Sequence, residues 1–379
     1  MTDTLADSRT SSREFIEGVP VVVEDVPRRP AAERNEVLAD PGFGRYFTDS
    51  MFIARYRAGE GWYDARLTGY APLQVDPATA ALHYAQSIFE GLKAYVQPDG
   101  SVATFRPEAN AARFVRGAKR LAMPPVPEEA FIAAVDALVD AERDWVPTGP
   151  DQTLYLRPYQ LASEPFLGVR PANEYLFLAI ASPAGAYFSR GVHPVTVYLS
   201  EEYIRAAPGG TGDIKSAGNY AASLLAQEEA IAAGCDQVVW LDAVEKRYVE
   251  EMGTNNLFFV LGEGDDAELV TPELTGTLLA GITRDSLITV ARELGYRVTE
   301  RKFSVEEWRR GVTDGTVTET FGCGTAAVIT PVGEVKARTG GFVIGDGGPG
   351  PLTMRLREHL LDVQHGRVPD THGWLHRVG

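Results

Sequence analysis

Apolar residues recur along the chain at two spacings, and the spacings divide it into two halves. Between residues 47 and 181, short β-rich runs mix with helical ones. The pattern predicts a strand over 51–57, with Gly59-Glu-Gly61 as its turn. Apolar positions stand at helical spacing over 80–89. A strand is predicted over 102–106, and Pro107 with Glu108 opens a helix with the proline in its first turn. A second amphipathic helix is predicted over 128–145. Segments 154–158 and 174–180 predict neighbouring strands joined by a long loop. Ala181-Ser-Pro-Ala-Gly185 interrupts the pattern. Beyond it, 195–199 begins a strand-rich half with two helices, over 217–233 and 284–294. No internal repeat or low-complexity tract occurs. This order predicts an α/β (α+β) protein of two domains. The expected divisions are a largely disordered or extended tail over 1–40, a small domain over 41–182, a linker over 183–194 and a large domain over 195–379.

Composition narrows the function classes. A chain of 379 residues with 44% hydrophobic and 23% charged content has the size and balance of a two-domain globular protein. Net charge is 36 − 52 = −16. That speaks against a nucleic-acid or anionic-membrane surface, since both need a basic face. Cys235 and Cys323 are too few for a disulfide scaffold and lack metal-ligand spacing, so no metal site is expected. No apolar run reaches the roughly 18 residues of a membrane span. The first 14 residues are polar and lack a signal-peptide core. A cytoplasmic enzyme or binding protein for small molecules is the expectation.

The candidate chemistry centres on Lys215. It lies in Gly209-Gly-Thr-Gly-Asp-Ile-Lys-Ser-Ala-Gly-Asn-Tyr220, where four glycines, one Asp and no other cation surround a single amine. Such a backbone turns sharply and approaches a ligand closely. A lysine withdrawn from water has its pKa lowered, and a neutral amine attacks carbonyls, so the segment suggests a Schiff-base lysine. Glu250 and Glu251 end a predicted strand just before a Gly-Thr turn. Alone they read either as a solvated pair or as a carboxylate set opposite a ring nitrogen, with Glu251 the better candidate. Gly281-Ile-Thr283 precedes a helix whose first amides suit an anion, although Thr283 reads equally as an ordinary cap. Phe321-Gly-Cys-Gly-Thr-Ala326 is a second small-residue turn with free amides.

Together these motifs resemble the fold-type IV pyridoxal-phosphate enzymes, and specifically the branched-chain amino-acid aminotransferases. The resemblance covers 43–374. Its motifs run in the family's order: Phe43-Gly-Arg-Tyr-Phe-Thr-Asp49, His83-Tyr84, Phe89-Glu-Gly-Leu-Lys-Ala-Tyr95, Phe105-Arg-Pro107 with Asn110 and Arg113, and Leu154-Tyr-Leu-Arg-Pro158. The lysine segment, Glu251-Met-Gly-Thr254, Gly281-Ile-Thr283 and Gly322-Cys-Gly-Thr-Ala326 follow. The resemblance implies a smaller N-terminal α/β domain and a larger C-terminal domain that binds pyridoxal 5'-phosphate. It implies that Lys215 holds the cofactor's aldehyde and acts as the catalytic base. Arg113, the amides of Ile282 and Thr283, and Thr325 would hold the phosphate, Tyr220 the phenolic oxygen and Glu251 the ring nitrogen, with Thr254 a further cofactor-binding residue. The amides of Thr325 and Ala326 would receive the substrate α-carboxylate. Phe43, Tyr84, Phe89 and Tyr155 would wall the side-chain pocket, with Arg157 as its rim cation.

The implied reaction is ping-pong exchange of amino groups between L-leucine, L-isoleucine or L-valine and 2-oxoglutarate. A homodimer is implied too, with Leu167 and Val169 on a loop reaching toward the partner's pocket. Some members carry a Cys-x-x-Cys pair after the Gly-Thr-Ala turn. Here Ala327 and Thr330 stand at those positions, so no thiol switch is expected and Cys323 is expected to be buried and inert. The competing readings are a D-amino-acid aminotransferase, an aminodeoxychorismate lyase of the same fold, a non-catalytic module for phosphorylated ligands, and, least compatible with the charge, a nucleic-acid binder.

Overall fold

Strand Thr153–Ala162 alternates buried and half-buried positions almost throughout, as a strand with two differently packed faces must. It is the spine of the first of two large sheets in the computed structural model, which describes residues 13–185, 192–338 and 340–379. In that nine-stranded sheet the order is Leu375–Arg377, Val102–Phe105, Leu92–Val96, Thr153–Ala162, Glu174–Ala184, Ser50–Arg57, Gly61–Gly69, Val22–Val23, with Ser87–Phe89 added on Thr153–Ala162. The pairings are antiparallel except that of Val22–Val23 with Gly61–Gly69. Helices Pro107–Arg120 and Glu128–Ala141 cover one face, and Phe52, Phe114, Phe131 and Phe177 meet between the layers.

The second sheet also has nine strands. Val249–Met252, Gln237–Leu241, Val195–Ser200, Val328–Lys336, Val317–Gly324 and Asn255–Leu261 follow one another, and the last pairs back with the first, so these six close into a ring. Closure leaves no edge among them. Glu268–Thr271 and Arg297–Glu300 extend the sheet outward from Asn255–Leu261, and Phe342–Val343 pairs with Val328–Lys336. Helices Ile282–Glu293 and Pro351–Gln364 pack together against it. Among the described residues no helix is long and apolar enough to cross a membrane.

Several expectations are corrected. The helical spacing over 80–89 yields a helix only at Ala80–Tyr84. Ala85 takes a left-handed conformation (φ 52°), and Ser87–Phe89 then pairs as a strand. The helix expected over 217–233 is two, Ala217–Ala221 and Leu224–Ala232. Between them the Ser223 hydroxyl donates to Tyr220 O at 2.7 Å, a local bond that competes with the helix ladder. The helix over 128–145 is α-helical to Ala141 and ends in the 3-10 turn Arg143–Trp145.

The tail expectation over 1–40 changes most. Residues 1–12 lie outside the described residues. Beyond them, Phe15 is buried against Phe52, Trp62 and Phe177, and Ala31–Ala39 is a helix. The ring's burial anchors a short segment that follows the polar first residues. Of the expected linker, residues 183 and 184 continue strand Glu174–Ala184, and 186–191 lie outside the described residues. The expected division is also crossed at the far end, because Leu375–Arg377 returns to pair with Val102–Phe105 in the first sheet.

Phe15→Ala empties a site walled by three aromatic rings. It is expected to lower the free energy of unfolding by ~3–5 kcal/mol, read from the denaturant midpoint. A loss below about 1 kcal/mol would mean that the segment is not part of the core.

Candidate active site

The two sheets meet along a seam, and Lys215 stands in it. The Phe89 N–H donates to Lys215 O at 3.1 Å, and Ser216 forms a β-bridge with Ile88. Asn219 pins the glycine-rich segment from within. Its Nδ2 donates to Thr211 O at 2.6 Å and Ile214 O at 3.0 Å, and its Oδ1 accepts from the Thr211 hydroxyl at 2.6 Å. The lysine Nζ is thereby aimed at Tyr220, donating to its hydroxyl at 2.8 Å, and lies 4.8 Å from the centre of the Phe89 ring. Its pKa is lowered to about 8, first by burial and then by the Arg113 charge, against the pull of Glu90. Burial and the Glu251 charge push Tyr220 up to about 12, against Arg205 and Arg113, so the phenol stays protonated at neutral pH.

Glu251 closes one end of the cleft. Alternation along Val249–Met252 sends it and Glu250 to opposite faces. Glu251 lines a cavity with Tyr220, Arg205, Asn219 and Thr254, whereas Glu250 accepts a short hydrogen bond from the Thr277 hydroxyl. Glu251 is 2% exposed, paired with Arg205 Nε at 2.9 Å, and accepts from Leu279 N–H at 2.5 Å. Burial raises its pKa, and Arg205 opposes that rise. Arg205 also donates to Gly212 O at 3.0 Å and Thr277 O at 2.7 Å, so one guanidinium ties the carboxylate to the lysine segment.

Arg113 closes the other end. Its Nε and Nη2 donate to the two oxygens of Glu90 at 2.7 and 2.8 Å, and Nη1 donates to Ala280 O at 2.9 Å. Burial acts to raise the Glu90 pKa, but Arg113 outweighs it and holds the carboxyl below its usual range. The adjoining helix Ile282–Glu293 starts at Gly281 with no side-chain cap, so Thr283 is not its cap and the first-turn amides are left without a side-chain acceptor. A Cβ at Gly281 would overlap the Asn256 side chain, so glycine is needed for this approach. Arg106, just before the helix that carries Arg113, donates to Asp285 and Ser286 at 2.7 Å each and locks the two helices together. Arg113, Lys215, Tyr155, Thr254, Ile282, Thr283, Thr325 and Ala326 line one cleft.

The pocket residues divide. Tyr155 and Arg157 share a face, as their parity predicts; Arg157 Nη2 donates to the Tyr155 hydroxyl at 3.1 Å and lies 4.8 Å over the Phe89 ring. Phe43 packs edge-on to Tyr155 at 5.1 Å. Tyr84, Leu167 and Val169 stand outside the cleft of the single chain. The Tyr84 hydroxyl donates to Leu167 O at 2.6 Å, and Leu167 and Val169 are 76% and 89% exposed. Cys323 is buried, and burial pushes its thiol pKa well up. Among the described residues no cluster of His, Cys, Asp or Glu could hold a metal ion. Sequence reasoning missed Glu90, Arg205, Arg106 and Lys93 as site residues. Glu90, Lys93 and Arg106 lay inside motifs already named, while nothing local marked Arg205 as the partner of a distant group.

A buried amine near neutrality, a phenol beside it, a carboxylate at one end and an anion cradle at the other can hold an aldehyde-bearing ring and move a proton beside it. The comparisons agree with this chemistry. The family model for amino-transferase class IV matches residues 87–335, and the chain belongs to that family of aminotransferases. It is 58% identical over 348 residues to the branched-chain-amino-acid aminotransferase of Mycolicibacterium smegmatis, covering 92% of this chain and 95% of that protein. The crystal structure of the Escherichia coli branched-chain amino acid aminotransferase is similar at TM-score 0.72 and 28% identity, over 87% of this chain and 99% of that one. The branched-chain amino acid aminotransferase from Thermobaculum terrenum, solved in its PLP holo-form, gives TM-score 0.70 and 26% identity, over 86% of this chain and 98% of that one.

The Glu90–Arg113 pair is testable apart from catalysis. Glu90→Ala leaves a buried guanidinium without its counter-charge and is expected to cost ~3–5 kcal/mol of stability. The double variant with Arg113→Ala should lose less than the sum of the two single losses. Denaturant unfolding reads both, and strictly additive losses would show that the two groups do not act as a pair.

Proposed function

We propose that this aminotransferase exchanges amino groups between L-leucine, L-isoleucine or L-valine and 2-oxoglutarate, yielding branched 2-oxo acids and L-glutamate, with pyridoxal 5'-phosphate as cofactor. The observation that carries the reading is the Lys215–Tyr220 contact of 2.8 Å set between the Arg205-paired Glu251 and the cradle around Arg113. The donor set fits the cofactor. Arg113 spends three of its five N–H groups on Glu90 and Ala280, leaving two for a phosphate, together with the amides of Ile282 and Thr283 and the hydroxyls of Thr254 and Thr325. Glu251 suits a protonated ring nitrogen and Tyr220 a phenolic oxygen. When bound, pyridoxal phosphate supplies an aldehyde for the amino group and a ring that takes up electrons from the substrate α-carbon.

The chain's own residues do the rest. Lys215 Nζ, with its pKa near 8, has a substantial neutral fraction and removes the substrate α-proton, later delivering a proton on the same side. Tyr220 keeps that amine in place between the two transfers. The Thr325 and Ala326 amides hold the α-carboxylate. Phe43, Phe89 and Tyr155 offer an aliphatic side chain an apolar wall, and Arg157, fixed by the Tyr155 hydroxyl, meets the distal carboxylate of 2-oxoglutarate or glutamate. One pocket thus serves both half-reactions.

Tyr84, Leu167 and Val169 belong in this reading to a homodimer. They sit exposed on one surface as apolar groups that a second copy would cover. The reading also keeps two domains, near 41–182 and 195–379, but assigns the Phe15 segment and the returning strand Leu375–Arg377 to the first, and it keeps a cytoplasmic location, which suits two unpaired cysteines.

Absorbance of the purified holoenzyme tests substrate and cofactor together. L-leucine is expected to convert the yellow form to the pyridoxamine form, and 2-oxoglutarate to restore it, while D-alanine does neither. Conversion by D-alanine instead would sink the branched-chain assignment. Lys215→Ala should abolish turnover, and Lys215→Arg should be nearly as damaging, because a guanidinium stays protonated. Condensation requires the neutral amine, so reconstitution of the apoprotein with pyridoxal phosphate should accelerate as pH rises through about 8 and then level off. Borohydride labelling of a residue other than Lys215 would overturn its role.

A further inference from the structure

Lys93 is a buried cation to which the mechanism above gives no part. It lies on strand Leu92–Val96, directly opposite Tyr155 in the antiparallel register, and is 6% exposed. Among the described residues its side chain's one hydrogen bond runs from Nζ to Ala326 O at 2.7 Å. The acid that acts on it electrostatically, Asp151, is already bonded to Arg357 at 3.0 Å. A buried ammonium without a bonded counter-ion is costly unless an anion arrives to balance it. Ala326 belongs to the turn between Val317–Gly324 and Val328–Lys336, and it lines the cleft together with Thr325, Tyr155 and Gly91.

The geometry points to Lys93 as the positioning residue and counter-charge of the carboxylate subsite. It fixes the turn through Ala326 O, and its charge is balanced by the α-carboxylate of the amino acid or 2-oxo acid seated on the Thr325 and Ala326 amides. This rests on the carboxylate reading of that turn given above. Lys93 touches the turn and not the substrate. Its pKa, lowered to about 8 by burial and by Arg357 against Asp151, agrees with a cation that lacks a close partner while the subsite is empty. A carboxylate nearby would draw it back up and hold the proton on.

The two effects separate by substitution. The bond to Ala326 O needs a donor, whereas balancing a carboxylate needs a charge. Lys93→Met removes both, Lys93→Gln keeps a donor only, and Lys93→Arg keeps both. In the holoenzyme, dissociation constants are measured for 4-methylpentanoate and for its uncharged amide, with cofactor content and with kcat and KM for L-leucine. Wild type is expected to prefer the acid. Lys93→Gln should weaken the acid by about tenfold or more and leave the amide within roughly twofold, whereas Lys93→Met, which also frees the turn, should weaken the amide too but the acid further; both should raise KM for leucine more than they lower kcat. Lys93→Arg should restore the acid's affinity. Unchanged acid affinity in Lys93→Gln at full cofactor content would overturn the proposal. Equal weakening of acid and amide would overturn it too, since that is what a purely structural lysine gives. Should Lys93→Met not fold, Gln and Arg still decide between charge and scaffold. If wild type holds acid and amide equally, the carboxylate reading of the turn falls, and this inference with it.

Discussion

Arg113 joins the two halves of the molecule at the place where the chemistry happens. Its fork is satisfied by Glu90 from the first half, and its remaining protein bond goes to the Ala280 carbonyl in the second. A guanidinium buried this deeply is tolerated only with its charge balanced and its donors bonded. The pair therefore determines where helix Pro107–Arg120 stands relative to the start of Ile282–Glu293, and Arg106 reinforces that placement. The anion cradle, the lysine and the glycine-rich segment are arranged around this one constraint.

The site is a series of buried charges, each tuned by a neighbour. Glu90 is held ionised by Arg113, and Arg205 opposes the tendency of burial to neutralise Glu251. Lys215 and Lys93 are both drawn down to about 8 by burial. Low dielectric strengthens every one of these couplings. Loss of one member would be felt at the others, because Glu90 and Arg113 both act on Lys215.

How far the sequence could be read depends on how local the information was. The strand expected over 154–158, which the structure extends to Thr153–Ala162, and the shared face of Tyr155 and Arg157 rest on a period of two, which each residue's neighbours carry. Lys215 stood out because its own segment is so poor in other cations and so rich in glycine. The break between Ala217–Ala221 and Leu224–Ala232 was not legible, since it turns on one serine bonding its own backbone. Neither was the burial of Phe15, which depends on Trp62 and Phe177 being present to receive it.

By itself the sequence determined the motifs, their order, and hence the family and the chemical types at the site. An amine in a glycine-rich turn, carboxylates at a strand end and small-residue anion turns are all local facts. Only the tertiary structure decided which charges would meet. Arg205 reaches Glu251, Glu90 takes up the fork of Arg113, and Lys93 lies beneath the Ala326 turn, because strands distant in sequence are brought side by side. Electrostatic pairing depends on separation in space and on exclusion of water, and neither is written in the order of residues along the chain.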